Sequence, residues 1–574
     1  MRSRMGLADD RADRGHGVRD QGGKNMVKTT EEIAAEIERG AATLGIEFGS
    51  TRIKAQLNDE NNAPVAVGAF EWENSFEQGY WTYGEQEIFE GLAACFASLK
   101  ADVARRYRVD LRRLAALGIS AMMHGYLALG SDGEPLVPFR TWRNTTTTVA
   151  ARELTRVFGF HIPERWSVAH LYQAILDEEP HVAQVDHLTT LAGFVHERLC
   201  GRRVLSIGDA SGMFPIDSST RSYDASMADR FDALEPVRAL GVRIIDLLPE
   251  VMIAGQVAGH LTAHGAELLD ASGDLEIACP MCPPEGDAGT GMIATNSVAP
   301  RTGNVSAGTS IFSMVVLEQP LKNPMLDEID IVTTPVGDPV AMVHCNNCTS
   351  DINAWMGLFE SYNDLMGISM DSPELYETLF RAALDGDADA GGLMSMPFIS
   401  GEPIMGVSTG CPLLTRGERA RLTIQNFMRM HIMAAFGALK IGNDALRRER
   451  VAIDRLYAHG GIFKTPIVAQ RLLAAAMAAP VSLLETAGEG GAWGAAIAAA
   501  YMLRGAATSS LSEYLSDHVF KGMRSVTVEA VPEDVLGYDA FIDLFRRVNA
   551  IACQADDIWA DEAGHAHVEG VEGQ

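Results

Sequence analysis

The chain has 574 residues, 47% of them hydrophobic and 21% charged, with 47 basic against 76 acidic side chains and a formal net charge of −29. That length calls for roughly two to four domains around large cores. So acidic a surface repels nucleic acid and anionic membrane, so neither is an expected partner.

No apolar run reaches the ~18 residues of a membrane span. Residues 1–25 are charged and glycine-rich without the apolar stretch of a secretory signal. The expected location is cytoplasmic, residues 1–28 read as a disordered part of an extension over 1–42, and Met26 is a second candidate start.

A short helix is expected over 28–40, with Thr30 as its cap, Glu31 and Glu32 in its first turn and Gly40 at its end. A strand over 43–48 enters the turn Gly49-Ser50-Thr51, and 53–58 returns as a hairpin partner. A third strand covers 63–72. A helix over 88–107 carries Phe89, Leu92, Ala93, Phe96 and Leu99 near helical spacing. The strand 114–121 then runs into Met122-Met123-His124-Gly125.

The second half repeats this plan after a break near 296–302. A strand over 303–307 enters Gly308-Thr309-Ser310, and 311–318 returns. A further strand covers 341–345, and one long helix covers 423–444. The strand 455–458 reaches Gly460-Gly461, and helices follow over 465–478 and 492–501. From 505 to 557 the chain reads as a packing segment, with Tyr538, Phe541, Phe545 and Val548 on one helix face. Residues 560–574 read as a polar, mobile tail. The expected division is 43–298, 299–505 and 506–574, with an insertion over 145–280 suited to substrate-contacting and lid elements.

Each glycine-hydroxyl turn follows a strand, and such turns present N–H groups and hydroxyls that hold phosphate. Two of them, in separate halves, suggest a nucleotide in a cleft between two related domains. A dinucleotide fold or P-loop ATPase would carry a single such turn.

Asp287, in Cys282-Pro-Pro-Glu-Gly-Asp-Ala-Gly-Thr-Gly291, follows an apolar stretch at 275–278 that reads as a strand. A carboxylate there can take the proton of a hydroxyl as it attacks phosphorus. The same string equally suits a helix N-cap. His124 at a strand end can hydrogen-bond a polyol, although a lone histidine is more often a core or surface residue. Trp142 can wall a sugar pocket or simply pack. Cys279/Cys282 and Cys345/Cys348 form two CxxC pairs. Four thiolates can bind zinc, but these pairs lie further apart than zinc pairs usually do, and reduced packing cysteines are the preferred reading.

In order, these motifs resemble the FGGY family of carbohydrate kinases, from about Leu44 to Tyr501. Gly45-Ile-Glu-Phe-Gly-Ser-Thr51 with Lys54 is similar to the first phosphate motif, and Gly308-Thr309-Ser310 to the second. Met123-His124-Gly125 is similar to the sugar-contacting motif of the xylulokinases. Trp142 sits where the family has a tryptophan near the sugar, and Gly286-Asp287-Ala288 matches its catalytic-aspartate segment. Gly208-Asp-Ala-Ser-Gly-Met213 and Phe398-Ile-Ser-Gly-Glu402 resemble further family loops. Gly460-Gly461, Gln470 and Gly494-Ala-Ala496 resemble its adenosine-binding segments. The family usually has Asp where Glu47 stands, and Thr465-Pro466 and Trp142-Arg143-Asn144 also depart from its pattern.

The resemblance implies an α/β fold of two actin/hexokinase-like (ribonuclease H-like) ATPase domains flanking a central cleft. It implies ATP and Mg2+ as cofactors, with Glu47 reaching magnesium through water. It implies Asp287 as catalytic base, and Met123, His124, Gly125, Trp142, Asp287 and Ala288 as sugar contacts. Gly49, Ser50, Thr51, Lys54, Gly308, Thr309, Ser310, Gly460, Gly461 and Gln470 would contact ATP. The expected reaction is phosphorylation of a ketopentose, xylulose first, with a homodimer allowed. L-ribulose is the nearest rival because of Gly460-Gly461-Ile462. A glycerol kinase fits less well, because its Arg-Glu pair is absent at Met123-His124. An actin-like ATPase switch without a sugar is the rival from another class.

Overall fold

The computed structural model describes residues 28–486 and 490–569. The expectations for residues 1–27 and 570–574 therefore fall outside the described residues.

Strands β1 (Thr43–Phe48), β2 (Arg52–Asn58) and β3 (Pro64–Glu71) form an antiparallel run. Strand β4 (Ala116–Ala121) lies parallel to the other side of β1, and β5 (Pro280–Met281) lies beyond it. In the second half β6 (Thr302–Ala307), β7 (Ile311–Val316) and β8 (Pro339–Cys345) are antiparallel in the same way. Strand β9 (Arg455–His459) runs parallel to β6, and β10 (Val481–Leu484) parallel to β9. The central strand order is therefore the same in both halves, 3-2-1-4-5; the first four strands of each half are those the repeated plan predicted, and the fifth strand of the second half, Val481–Leu484, was not expected. This is the actin/hexokinase-like architecture. Apolar residues alternate or run continuously along these strands, and β1 and β4 are nearly all buried.

Four expectations change. The first helix (Thr30–Glu38) is capped by Thr29, not Thr30: Thr29 Oγ1 accepts from Glu32 N, and Glu32 Oε2 accepts from Thr29 N. That reciprocal box needs an acid three residues after the cap, and only Thr29 has one. The single helix expected over 423–444 is two, Ile424–Ala435 and Gly437–Arg448, with Phe436 between them at φ −102° and ψ 5°. Gly437 lies where the Phe545 ring presses in, 2.8 Å from the position of an added Cβ.

The apolar stretch 275–278 is not a strand. Pro280, Pro283 and Pro284 lack ladder donors, so pairing with β4 is confined to two-residue pieces, Pro280–Met281 and Glu285–Gly286. The segment expected to be a polar tail instead continues the last helix, which runs from Pro532 to Glu569. Tyr538, Phe541, Phe545 and Val548 on that helix are buried in the second-half core, as their spacing predicted.

The helix Gly490–Arg504 crosses between the halves. It comes late in the chain yet packs on β1 and β4 of the first sheet. An added Cβ on Gly45 would lie 2.0 Å from Ala492 O, and one on Gly118 would lie 2.4 Å from Ala495 O. Only glycine on the strands and small residues on the helix permit this approach. In the other direction, the strand Asp330–Thr333 docks on the first half: Thr333 Oγ1 donates to Ile207 O, and its N–H donates to Ser211 Oγ.

Candidate active site

Asp287 opens the helix Asp287–Ala294 directly after the Glu285–Gly286 strand. It is the first helical residue rather than the cap, which is Gly286. Its Oδ1 accepts from Met123 N at 3.3 Å and from Ala288 N at 2.9 Å. The side chain is open to solvent but stands in a wall of protein. Loss of hydration, then the neighbouring Glu47 carboxylate, push its carboxyl up to about 7. Water in the open site screens part of that effect, and closure of the halves would remove that water.

Glu47 points from β1 to the start of the crossing helix, where Ala492 N donates to its Oε2 at 3.1 Å. Burial raises its pKa, and this backbone donor and the Lys54 ammonium oppose the shift. Lys54 sits opposite Glu47 in the β1–β2 ladder.

Two buried acids that sequence reasoning gave no chemical role stand behind Asp287. Glu285 accepts from Ser206 Oγ at 2.5 Å and from Gly286 N at 2.9 Å, and burial pushes it up to about 7. Asp209 accepts from Thr190 Oγ1 at 2.5 Å, and burial, then Glu285, raise it well above the ordinary value. Asp209 lay inside the quoted Gly208–Met213 string, and Glu285 stands two residues before Asp287, so both were visible as letters but not as neighbours.

His124 is buried at φ +70°, stacked toward Trp166. Burial, and then the Arg165 guanidinium, push it down to about 3, so it is neutral. Its Nδ1 faces Gly212 O at 3.3 Å, which can only accept, so Nδ1 carries the proton and Nε2 keeps a lone pair for a hydroxyl. Gly125, at φ +94°, brings its backbone against Arg140 O. Trp142 Nε1 donates to Ser50 Oγ at 3.3 Å, so the expected sugar tryptophan touches the first glycine-hydroxyl turn.

The carbonyls of that turn are fixed by aromatic side chains. Trp72 Nε1 donates to Gly49 O at 2.8 Å, Tyr83 OH donates to Ser50 O at 2.6 Å, and the two rings stack at 4.2 Å. The carbonyls of the second turn are fixed by chain that follows β8. Cys348 N donates to Thr309 O at 2.8 Å, and Thr349 Oγ1 donates to Gly308 O at 2.8 Å. Gly460, at φ +124°, abuts the end of β6 beside this turn, where an added Cβ would lie 1.9 Å from Ala307 O; Gly461 follows, exposed.

Two expected nucleotide contacts take other roles. Gln470 is buried and donates both amide hydrogens to strand carbonyls, Val481 O at 2.8 Å and Val526 O at 2.7 Å, which leaves no donor for adenosine. Gly494-Ala-Ala496 lies on the crossing helix, with Gly494 packed on Thr290 O. The two CxxC pairs sit in different halves. Burial pushes Cys279, Cys282 and Cys348 up to about 12, which keeps them as thiols.

Residues 42–273 match the N-terminal domain of the FGGY family of carbohydrate kinases, and residues 303–503 match its C-terminal domain. The chain belongs to the FGGY family. Among curated relatives, a glycerol kinase of Thermococcus kodakarensis is 24% identical over 248 residues, which are 40% of this chain and 46% of that protein. A xylulose kinase of Streptomyces rubiginosus is 27% identical over 210 residues, 34% of this chain and 39% of that protein. The chain thus spans less than half the length of these curated relatives. The solved xylulose kinase of Rhodospirillum rubrum superposes with a TM-score of 0.72 at 18% identity, covering 90% of this chain and 100% of that one, a likeness of fold.

A divalent cation and a nucleoside triphosphate are what an FGGY kinase fold implies. The donor set suits the cation: the Glu47 carboxylate is close enough to raise the Asp287 carboxyl, and hard carboxylate oxygens suit magnesium held through water. No helix among the described residues is long and apolar enough to cross a membrane.

Proposed function

We propose that this FGGY kinase transfers the γ-phosphate of ATP to a hydroxyl of a ketopentose, with xylulose as first substrate and xylulose 5-phosphate as product. The observation that carries the reading is Asp287, a carboxylate of raised pKa aligned by the Met123 and Ala288 N–H groups and adjoining Glu47. Asp287 takes the proton of the attacking hydroxyl. The new O–P bond forms as the bond from phosphorus to the ADP oxygen breaks.

His124 Nε2 accepts from a second hydroxyl, and Trp142 walls the sugar. Gly49–Thr51 and Gly308–Ser310 offer N–H groups and hydroxyls to the phosphates, Lys54 adds charge, and Gly460 and Gly461 leave room beside the second turn. Glu47 would hold, through water, a magnesium ion that would neutralise phosphate charge. Alignment and charge stabilisation do most of the work, and closure excludes water. Eight unpaired cysteines suit a reducing, cytoplasmic setting.

A small polyol is the second reading, favoured by the match to the glycerol kinase of Thermococcus kodakarensis. The test is ADP release from Mg-ATP with and without D- and L-ketopentoses, ketohexoses, gluconate and glycerol. Stimulation by xylulose alone fixes the substrate, stimulation by another polyol moves it, and sugar-independent hydrolysis rejects the kinase reading.

A further inference from the structure

The loop after β8, Cys345-Asn-Asn-Cys-Thr349, drew notice in the sequence as half of a thiol pair. In the fold its polar residues matter more than its sulfurs. Asn347 is 5% exposed and uses its whole amide. Its Oδ1 accepts from Ile399 N at 2.9 Å and from Ser400 N at 3.1 Å. Its Nδ2 donates to Gly401 O at 2.6 Å and to Glu402 Oε2 at 3.2 Å. Glu402 is fully buried, and its Oε2 also accepts from the backbone N–H of Asn347 at 3.3 Å.

This knot joins two segments. On one side, the next residues, Cys348 and Thr349, fix the carbonyls of the second phosphate turn. On the other, the 398–402 loop is backed by the 407–410 loop. Glu402 N donates to Val407 O at 2.7 Å, and the glycines Gly401 and Gly410 let the two backbones touch. The 407–410 loop is in turn gripped from the last helix. Asp556 accepts from the N–H groups of Ser408, Thr409 and Gly410, and from the hydroxyls of Ser408 and Thr409. Hydrogen bonds linked by short stretches of backbone therefore connect the last helix to Gly308–Ser310.

We propose that Asn347 is a positioning residue for the nucleotide phosphates: through its bonds to the 399–402 loop it sets where Cys348 and Thr349 hold the turn Gly308-Thr309-Ser310. It touches no reacting atom. The braces from Cys348 and Thr349 end on carbonyl oxygens and the Gly308 N–H closes the turn on Ser310 O, so the braces do not take up the N–H groups and hydroxyls of Thr309 and Ser310, the kind of donor that binds phosphate. The proposal rests on the kinase reading above, because it assigns that turn to nucleotide phosphate.

The experiment is calorimetric titration of the full chain with magnesium and a non-hydrolysable ATP analogue, paired with steady-state kinetics in which ATP and sugar are varied separately. Asn347→Ala is expected to weaken nucleotide binding and raise KM for ATP by about 10- to 100-fold, with KM for the sugar unchanged. Glu402→Gln keeps an acceptor for Asn347 and is expected to stay near wild type, whereas Glu402→Ala follows Asn347→Ala. Thr349→Val, an isosteric change that removes only the hydroxyl bond to Gly308 O, guards against misfolding of the alanine variants. It is expected to raise KM for ATP by roughly 3- to 10-fold. Unchanged nucleotide affinity in Asn347→Ala and Thr349→Val, or an equal rise in both KM values as general loosening would give, overturns the proposal. A wild-type chain that binds no nucleotide overturns the kinase reading itself, and the two failures are distinguished by that one titration.

Discussion

The two glycine-hydroxyl turns occupy equivalent places in equivalent sheets but are secured by different chemistry. Gly49–Thr51 leans on the indole of Trp72 and the phenol of Tyr83, stacked rings that bury apolar area while donating to the turn. Gly308–Ser310 leans on a backbone N–H, a threonine hydroxyl and, behind them, a buried amide–carboxyl knot. Topology repeated while the supports diverged, so the repeat constrains the strand-turn-strand unit and not its buttress. An aromatic brace is stiff and insensitive to pH; the polar one contains a buried titratable group.

The largest effect separates chemistry from phosphate holding altogether. Asp287→Asn is expected to lower kcat by about a thousandfold or more while both turns still bind nucleotide, measured by turnover beside analogue titration. Near-normal turnover would remove Asp287 from the base role. In the wild type, kcat/KM is expected to rise with pH and level off above about 7, because the base must be ionised and its carboxyl is raised.

Next, Trp72→Phe with Tyr83→Phe removes both side-chain donors to the carbonyls of Gly49 and Ser50 and keeps most of the apolar packing. KM for ATP is expected to rise about tenfold, with no change in the pH dependence of stability. A pH-dependent melting difference would show that this brace is not purely aromatic.

Glu402→Gln probes the polar brace. Burial pushes Glu402 up to about 7, against roughly 4.3 in an unfolded chain. The folded state therefore holds this proton more tightly, and stability falls as pH rises from about 4 through 7. The variant is expected to melt with the wild type near pH 4 and about 2–4 °C above it at pH 8. A constant difference across that range would refute the assignment. The smallest effect belongs to Trp142→Phe, which loses one 3.3 Å bond to Ser50 Oγ and is expected to change KM for sugar by about two- to fivefold.

The strands and turns were legible because alternation and Gly-hydroxyl strings are local signals, and β1–β2 and β6–β7 lie where those signals placed them. Asp287, His124 and Trp142 were picked out only as a set, from the order of their motifs, and their roles are proposals that the substitutions above test. The supports were not legible. Trp72 stood only as the end of an expected strand, Tyr83 carried no signal of its own, and Asn347 was one asparagine between two cysteines. Asp209 and Glu285 become a pair only when the insertion folds back behind β4. Gln470 shows the reverse error: a motif position was preserved while its amide was taken by two strands.

The crossing helix Gly490–Arg504 has a consequence for the order of synthesis. A ribosome that has just released residue 300 has made every strand of the first sheet. The face at Gly45 and Gly118 is still bare, and Glu47 lacks its donor at Ala492. The nascent first half is therefore an unfinished structure that must wait for some two hundred further residues before its own core is closed. A gene cut at the domain boundary would yield a first half with an uncovered glycine seam, and adding back residues 490–504 in trans is the complement it lacks.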